Sequence, residues 1–120
     1  MEFSFVHTNF AVKNLQESLA FYQKALGLTE VGRKQAGSFT RVFLSDGNTA
    51  QQIELTYDAN HPQGFDLGDN QTHIAFRTKE YEKARQLHQQ MGCITHEIAG
   101  RNIYFIADPD GNSIEILLQA

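Results

Sequence analysis

Apolar and polar positions between residues 3 and 12 follow a period of two. It sets His7, Asn9 and Ala11 on one face, with Val6, Thr8, Phe10 and Val12 on the other. With Phe3, Phe5 and Phe10 as strand formers, the stretch predicts a strand whose histidine faces away from the apolar set. Asn14 then offers a helix N-cap, with Glu17 three residues on in a capping-box pattern. Leu15, Leu19, Tyr22 and Leu26 recur at spacings of four, three and four, a single helical stripe that Gly27 stops. Strand signals return at 29–31, 39–45 and 51–57, and the turn Asp46-Gly47-Asn48 makes the last two a hairpin. In residues 51–57, Ile53, Leu55 and Tyr57 share a face, leaving Glu54 and Thr56 on the other. Residues 58–71, with Pro62, Gly64 and Gly68 among Asp and Asn, have the composition of a linker.

The same order then restarts. Residues 72–77 predict a strand with His73, Ala75 and Arg77 on one face. Residues 78–91 predict a helix with Tyr81, Ala84, Leu87, His88 and Met91 along one side, stopped by Gly92. Strands follow at 94–98 and 102–107, then a hairpin turn at Asp108-Pro109-Asp110-Gly111-Asn112. The final strand, 113–118, turns Glu115 and Leu117 away from Ile114, Ile116 and Leu118. The pattern is β-α-β-β-β twice, an α+β fold. Its modules, 1–57 and 72–120, are joined by the linker 58–71. A chain of 120 residues has room for one core rather than two independent domains, so 1–120 is expected to form a single domain.

Composition narrows the picture further. Hydrophobic content of 41% and charge of 20% are ordinary for a globular chain. A formal net charge of −4 gives nucleic acid or an anionic membrane surface nothing to attract. No apolar run reaches bilayer length and no basic leader precedes an apolar one, so the expected location is cytoplasmic. Cys93, the only cysteine, excludes an intrachain disulfide and a thiolate metal cluster, and reads as a small hydrophobe.

The repeat carries chemistry as well as structure. Each module has a histidine on its first strand, His7 or His73, and a glutamate on its last, Glu54 or Glu115. Imidazole nitrogen and carboxylate oxygen suit divalent Ni, Co, Zn, Fe or Mn, and four such ligands leave room for water or substrate. The competing reading is four unrelated polar residues on exposed strand faces. A glutamate buried in an apolar strand without a partner costs free energy, and finding that arrangement twice favours the metal. His61 in the linker, His88 on a helix and His96 without a counterpart in the first module read as surface or structural. The Asp-Gly-Asn triplets are turn chemistry, lacking the further acidic ligands of a calcium loop.

The chain resembles the vicinal oxygen chelate superfamily (glyoxalase, bleomycin resistance protein and dihydroxybiphenyl dioxygenase) and within it the short glyoxalase I, or lactoylglutathione lyase, enzymes. The resemblance runs through His7-Thr8, Asn14-Leu15-Gln16-Glu17-Ser18 leading to Phe21-Tyr22 and Leu26-Gly27, and Ile53-Glu54-Leu55-Thr56-Tyr57. It continues through Thr72-His73-Ile74-Ala75 and Asp108-Pro109-Asp110-Gly111 with Ile114-Glu115. It implies paired βαβββ modules and four metal ligands, His7, Glu54, His73 and Glu115. Histidine rather than glutamine as the first ligand, in a short chain, implies the class preferring Ni or Co, with Zn possible. The resemblance further implies a homodimer whose active sites are shared between chains. The implied reaction is methylglyoxal detoxification: a hemithioacetal of methylglyoxal and a small thiol becomes an S-lactoyl thioester, with Glu115 as base and Glu54 its counterpart. Two departures bear on the thiol. The family's glutathione-carboxylate arginine is replaced by Ala11, and an asparagine that contacts the thiol cofactor is replaced by Asp58. Arg77, four residues after His73, is expected to supply the missing anion contact. Other readings within the superfamily are an acyl-CoA epimerase, a thiol transferase acting on an epoxide antibiotic, or a metal-free protein that sequesters a drug.

Overall fold

The computed structural model describes residues 1–120, divided into two units, Met1–Asp66 and Leu67–Ala120, with the boundary inside the predicted linker. In the first unit the elements are β1 (His7–Ala11), α1 (Leu15–Leu26), β2 (Thr29–Ala36), β3 (Phe39–Ser45) and β4 (Gln52–Asp58). They build a four-stranded sheet of order β1-β4-β3-β2, in which β1 runs parallel to β4 and the other pairs are antiparallel. The cap works as its residues require: the Glu17 N–H donates to Asn14 Oδ1 at 3.0 Å, and Gly27 ends α1 at φ 67°. The buried face of α1 is Ser18, Tyr22 and Ala25, while Leu15, Leu19 and Leu26 of the predicted stripe are half-buried. Small residues beside Tyr22 let the helix approach β4 closely, and Val42, Leu44, Ile53 and Leu55 complete this core.

Two strand boundaries differ from the sequence expectation by more than one residue. The first strand starts at His7, not residue 3, because its ladder with β4 begins at the pair His7–Gln52. Phe3 and Phe5 stay 89% and 87% exposed: strand propensity without a partner strand does not make a strand. β2 runs on from the expected 29–31 to Ala36, because its backbone pairs along the whole of β3 past a bulge between Glu30 and Gly32. Gly37, at φ 60°, then turns the chain tightly into Phe39.

The second unit repeats the plan with β5 (His73–Thr78), α2 (Tyr81–Met91), β6 (Ile94–Glu97), β7 (Ile103–Ala107) and β8 (Ser113–Leu118), in the sheet order β5-β8-β7-β6. The helix begins three residues later than expected, since Thr78 is the last residue of β5 and its Oγ1 accepts the Glu80 N–H at 3.1 Å. Tyr104, Ile106, Ile114 and Ile116 form the core with Tyr81 and His88. His88, 1% exposed, is structural: its Nδ1 lies 2.8 Å from the Tyr104 hydroxyl, whose ionisation burial pushes well above the ordinary phenol range. Both hairpin turns rest on an aspartate. Asp46 Oδ1 accepts the N–H groups of Asn48 and Thr49 at 2.8 Å, and Asp108 Oδ1 accepts that of Asn112 at 2.8 Å.

Candidate functional site

Strand pairing decides which side chains meet. In the first unit the parallel ladder sets Asn9 opposite Glu54, and His7 lies two residues back on the same face. His7 Nε2 is 3.3 Å from Glu54 Oε1. Glu54 is only 8% exposed, a desolvation that a carboxylate tolerates only with partners. One partner is Asn9, whose amide donates to Glu54 Oε1 at 2.8 Å and also to Thr56 Oγ1. Phe43, opposite Glu54 on β3, presents its ring to His7 edge-on at 5.9 Å.

The second unit has the same frame with different surroundings. His73 Nε2 is 3.6 Å from Glu115 Oε1, and Phe105 lies opposite Glu115 with an edge contact of 5.3 Å to His73. Ala75 stands where Asn9 does, and Leu117 where Thr56 does, so Glu115 receives no amide donor from the neighbouring strand. His96, opposite Phe105 on β6, stacks on it with centroids 4.4 Å apart and planes 10° from parallel.

Donor chemistry provides the fit to a divalent ion. Ligand bonds of about 2.0–2.2 Å at adjacent coordination positions put the two donor atoms about 3 to 3.5 Å apart. The nitrogen–oxygen separations of 3.3 and 3.6 Å match this with little adjustment. Each unit thus offers one His–Glu pair of the right atoms at the right spacing, and no cluster of three or more His, Cys, Asp or Glu donors occurs in the chain.

The remaining predicted residues are placed as follows. Arg77 is exposed on β5, opposite Leu117, and makes no ion pair. Asp58 ends β4, and its Oδ1 accepts the Asn60 N–H at 2.9 Å, so this carboxylate shapes a turn. His61 stacks on Phe65 in the linker. Sequence reasoning passed over Asn9, Phe43, Phe105 and Thr56. Period two already put Asn9 beside His7, but its bond to Glu54 depends on a register that only the fold supplies.

Comparison with known proteins extends the picture. Residues 4–116 match the family model described as Glyoxalase/Bleomycin resistance protein/Dioxygenase superfamily. The lactoylglutathione lyase of Neisseria meningitidis serogroup A is 34% identical, over 93% of this chain and 88% of its own length. Among solved structures, the trypanothione-dependent glyoxalase I of Leishmania major is 25% identical with a TM-score of 0.85, covering 98% of this chain and 87% of that one. The fosfomycin resistance protein FosX of Mesorhizobium loti, at 17% identity and a TM-score of 0.78 over 100% of this chain and 94% of its own, shares the fold alone.

Proposed function

This chain belongs to the glyoxalase/bleomycin resistance protein/dioxygenase superfamily, and on that basis we propose that it is a glyoxalase I-type metalloenzyme of methylglyoxal detoxification. It isomerises the hemithioacetal of methylglyoxal and a small thiol to an S-lactoyl thioester. The observation that carries this reading is the His–Glu pair in each unit at metal-ligand spacing, in a chain 34% identical to a lactoylglutathione lyase. The match across both units supports treating residues 1–120 as one domain of the superfamily.

In this reading His7, Glu54, His73 and Glu115 are the ligands of a divalent ion, with Ni or Co favoured and Zn usable. The module-one pair of one chain and the module-two pair of its partner complete the set in a homodimer. A divalent ion held there supplies Lewis-acid stabilisation of the negative charge that develops on the substrate's adjacent oxygens. The reaction needs no redox cofactor: a proton leaves the carbon bearing sulfur and returns to its neighbour. Glu115 carries that proton. Its carboxylate has only His73 beside it, whereas Glu54 is tied to Asn9 and held as a fixed ligand. Arg77 and Asp58 are the proposed thiol-side contacts.

The test is direct. Purified protein given Ni, Co or Zn should form thioester from methylglyoxal with glutathione or another small thiol. No turnover with any metal and thiol combination would refute the assignment. Asn9 adds a prediction of its own. Partners behind a metal ligand typically contribute 10- to 100-fold in metal affinity, so Asn9→Ala should weaken binding by about 10- to 100-fold in a chelator competition. An unchanged affinity would mean that the amide does not orient Glu54.

A further inference from the structure

On the sheet face that carries His7 and Glu54, one rung along, two cations stand side by side. The β3–β4 ladder pairs Phe43 with Glu54 and Arg41 with Thr56, and the β2–β3 ladder pairs Lys34 with Arg41. Residues opposite each other in an antiparallel ladder share a face. Val42 and Leu44 of β3 are buried in the core on the far side, which leaves Phe39, Arg41 and Phe43 on the Glu54 side. One rung therefore reads Ala11, Thr56, Arg41, Lys34, and its neighbour reads Asn9, Glu54, Phe43, Gly32. The Arg41 guanidinium carbon lies 4.9 Å from the Phe39 ring centroid, and Lys34 Nζ lies 5.9 Å from that of Phe43, both within cation–π range.

Like charges directly opposite across a strand pair repel, and neither of these two makes an ion pair. The lysine and arginine ion pairs of the chain are Arg33–Glu30, Lys83–Glu80 and Arg85–Glu97. Arg33 and Arg85 each have a glutamate, whereas Arg41 and Lys34 have none. In a chain of net charge −4, a pair of adjacent cations without a counter-ion is a place prepared for an anion. The small side chains of Ala11 and Thr56 leave the rung open beside them. Two residues of strand separate Thr56 from Glu54, about 7 Å, so the two cations stand close to the His7–Glu54 pair without touching it.

We propose that Arg41 and Lys34 form an anion subsite that binds a carboxylate of the thiol portion of the substrate and so selects acidic peptide thiols over neutral ones. The proposal rests on the glyoxalase I-type reading and names the substrate class of that site. It locates the thiol's charged end on module one, independently of Arg77.

The experiment compares hemithioacetals of methylglyoxal with glutathione and with 2-mercaptoethanol, which has no carboxylate. The double variant Arg41→Gln/Lys34→Gln should lower the ratio of kcat/KM for the glutathione adduct to that for the neutral adduct by about 10- to 100-fold. The loss should appear in KM. Lys34→Arg should restore most of it over Lys34→Gln, and Arg33→Gln, whose side chain is committed to Glu30, should leave the ratio alone. Calorimetric binding of S-methylglutathione should weaken by the same factor, a reading that needs no turnover. An unchanged ratio, an equal loss for both adducts, or a ratio that moves only in Arg77→Ala would overturn the subsite. Wild-type protein that turns over neither adduct yet binds S-methylglutathione through Arg41 and Lys34 would refute the assigned reaction and leave the subsite standing.

Discussion

His73→Ala is expected to purify folded and without its metal, and to be inactive. The histidine is the first residue of β5, its side chain is 41% exposed, and its ring makes an edge contact with Phe105. Removing an exposed side chain at a strand end changes stability by no more than about 0.5 kcal/mol, so the thermal midpoint should barely move. Metal binding should change far more, because Glu115 would be left as a single donor in its unit. His7→Ala should behave in the same way, since His7 starts β1 and its side chain is 34% exposed. The two inactive variants also test the shared site. If one chain supplies His7 and its partner His73, mixing them should generate some dimers with one intact set of ligands and restore part of the activity. Stoichiometric metal in both variants would show that these pairs are not the ligands. A fully active monomer at high dilution would show that the sites are not shared.

Glu115→Gln is the second large effect. Moving a proton between adjacent carbons needs a positioned base, and such a group is worth about 10²- to 10⁴-fold in rate. The amide keeps an oxygen that can still face His73 but loses the basic carboxylate, so kcat should fall by about that factor while much of the metal is retained. Glu54→Gln should divide differently. Glu54 is nearly buried and already accepts from Asn9, and an amide there can keep its oxygen toward that donor while losing the negative charge a cation needs. Its main cost should therefore fall on metal affinity. Equal losses of kcat and of metal in both variants would mean that the two glutamates are interchangeable, against the asymmetry of Asn9 and Ala75.

Much of this was legible from residue pattern. The order of ten elements, both hairpin turns, the Asn14 cap and the His–Glu repeat all follow from local rules: period two, helical spacing, turn and capping residues. What escaped depends on partners distant in sequence. β1 starts at His7 because β4 begins opposite it, and β2 extends to Ala36 because β3 is there to pair. No local signal separates Phe3 and Phe5 from strand residues. α2 starts late because β5 holds Thr78 in its ladder with Leu118. The same limit applied at the site. His7 and Glu54 stood out as types, whereas Asn9 and the Arg41–Lys34 pair acquire meaning only from register. His96, without a counterpart in module one, proved to stack on the phenylalanine beside His73.

Reconstitution of stripped protein tests the central claim most directly. Protein freed of metal by a chelator should be inactive toward the methylglyoxal–glutathione hemithioacetal. Titration with Ni or Co should restore thioester formation in proportion to the ion bound, saturating when each His7–Glu54 and His73–Glu115 set is filled. Stripped protein that retains full activity, or metal-saturated protein that forms no S-lactoyl thioester, would contradict the account.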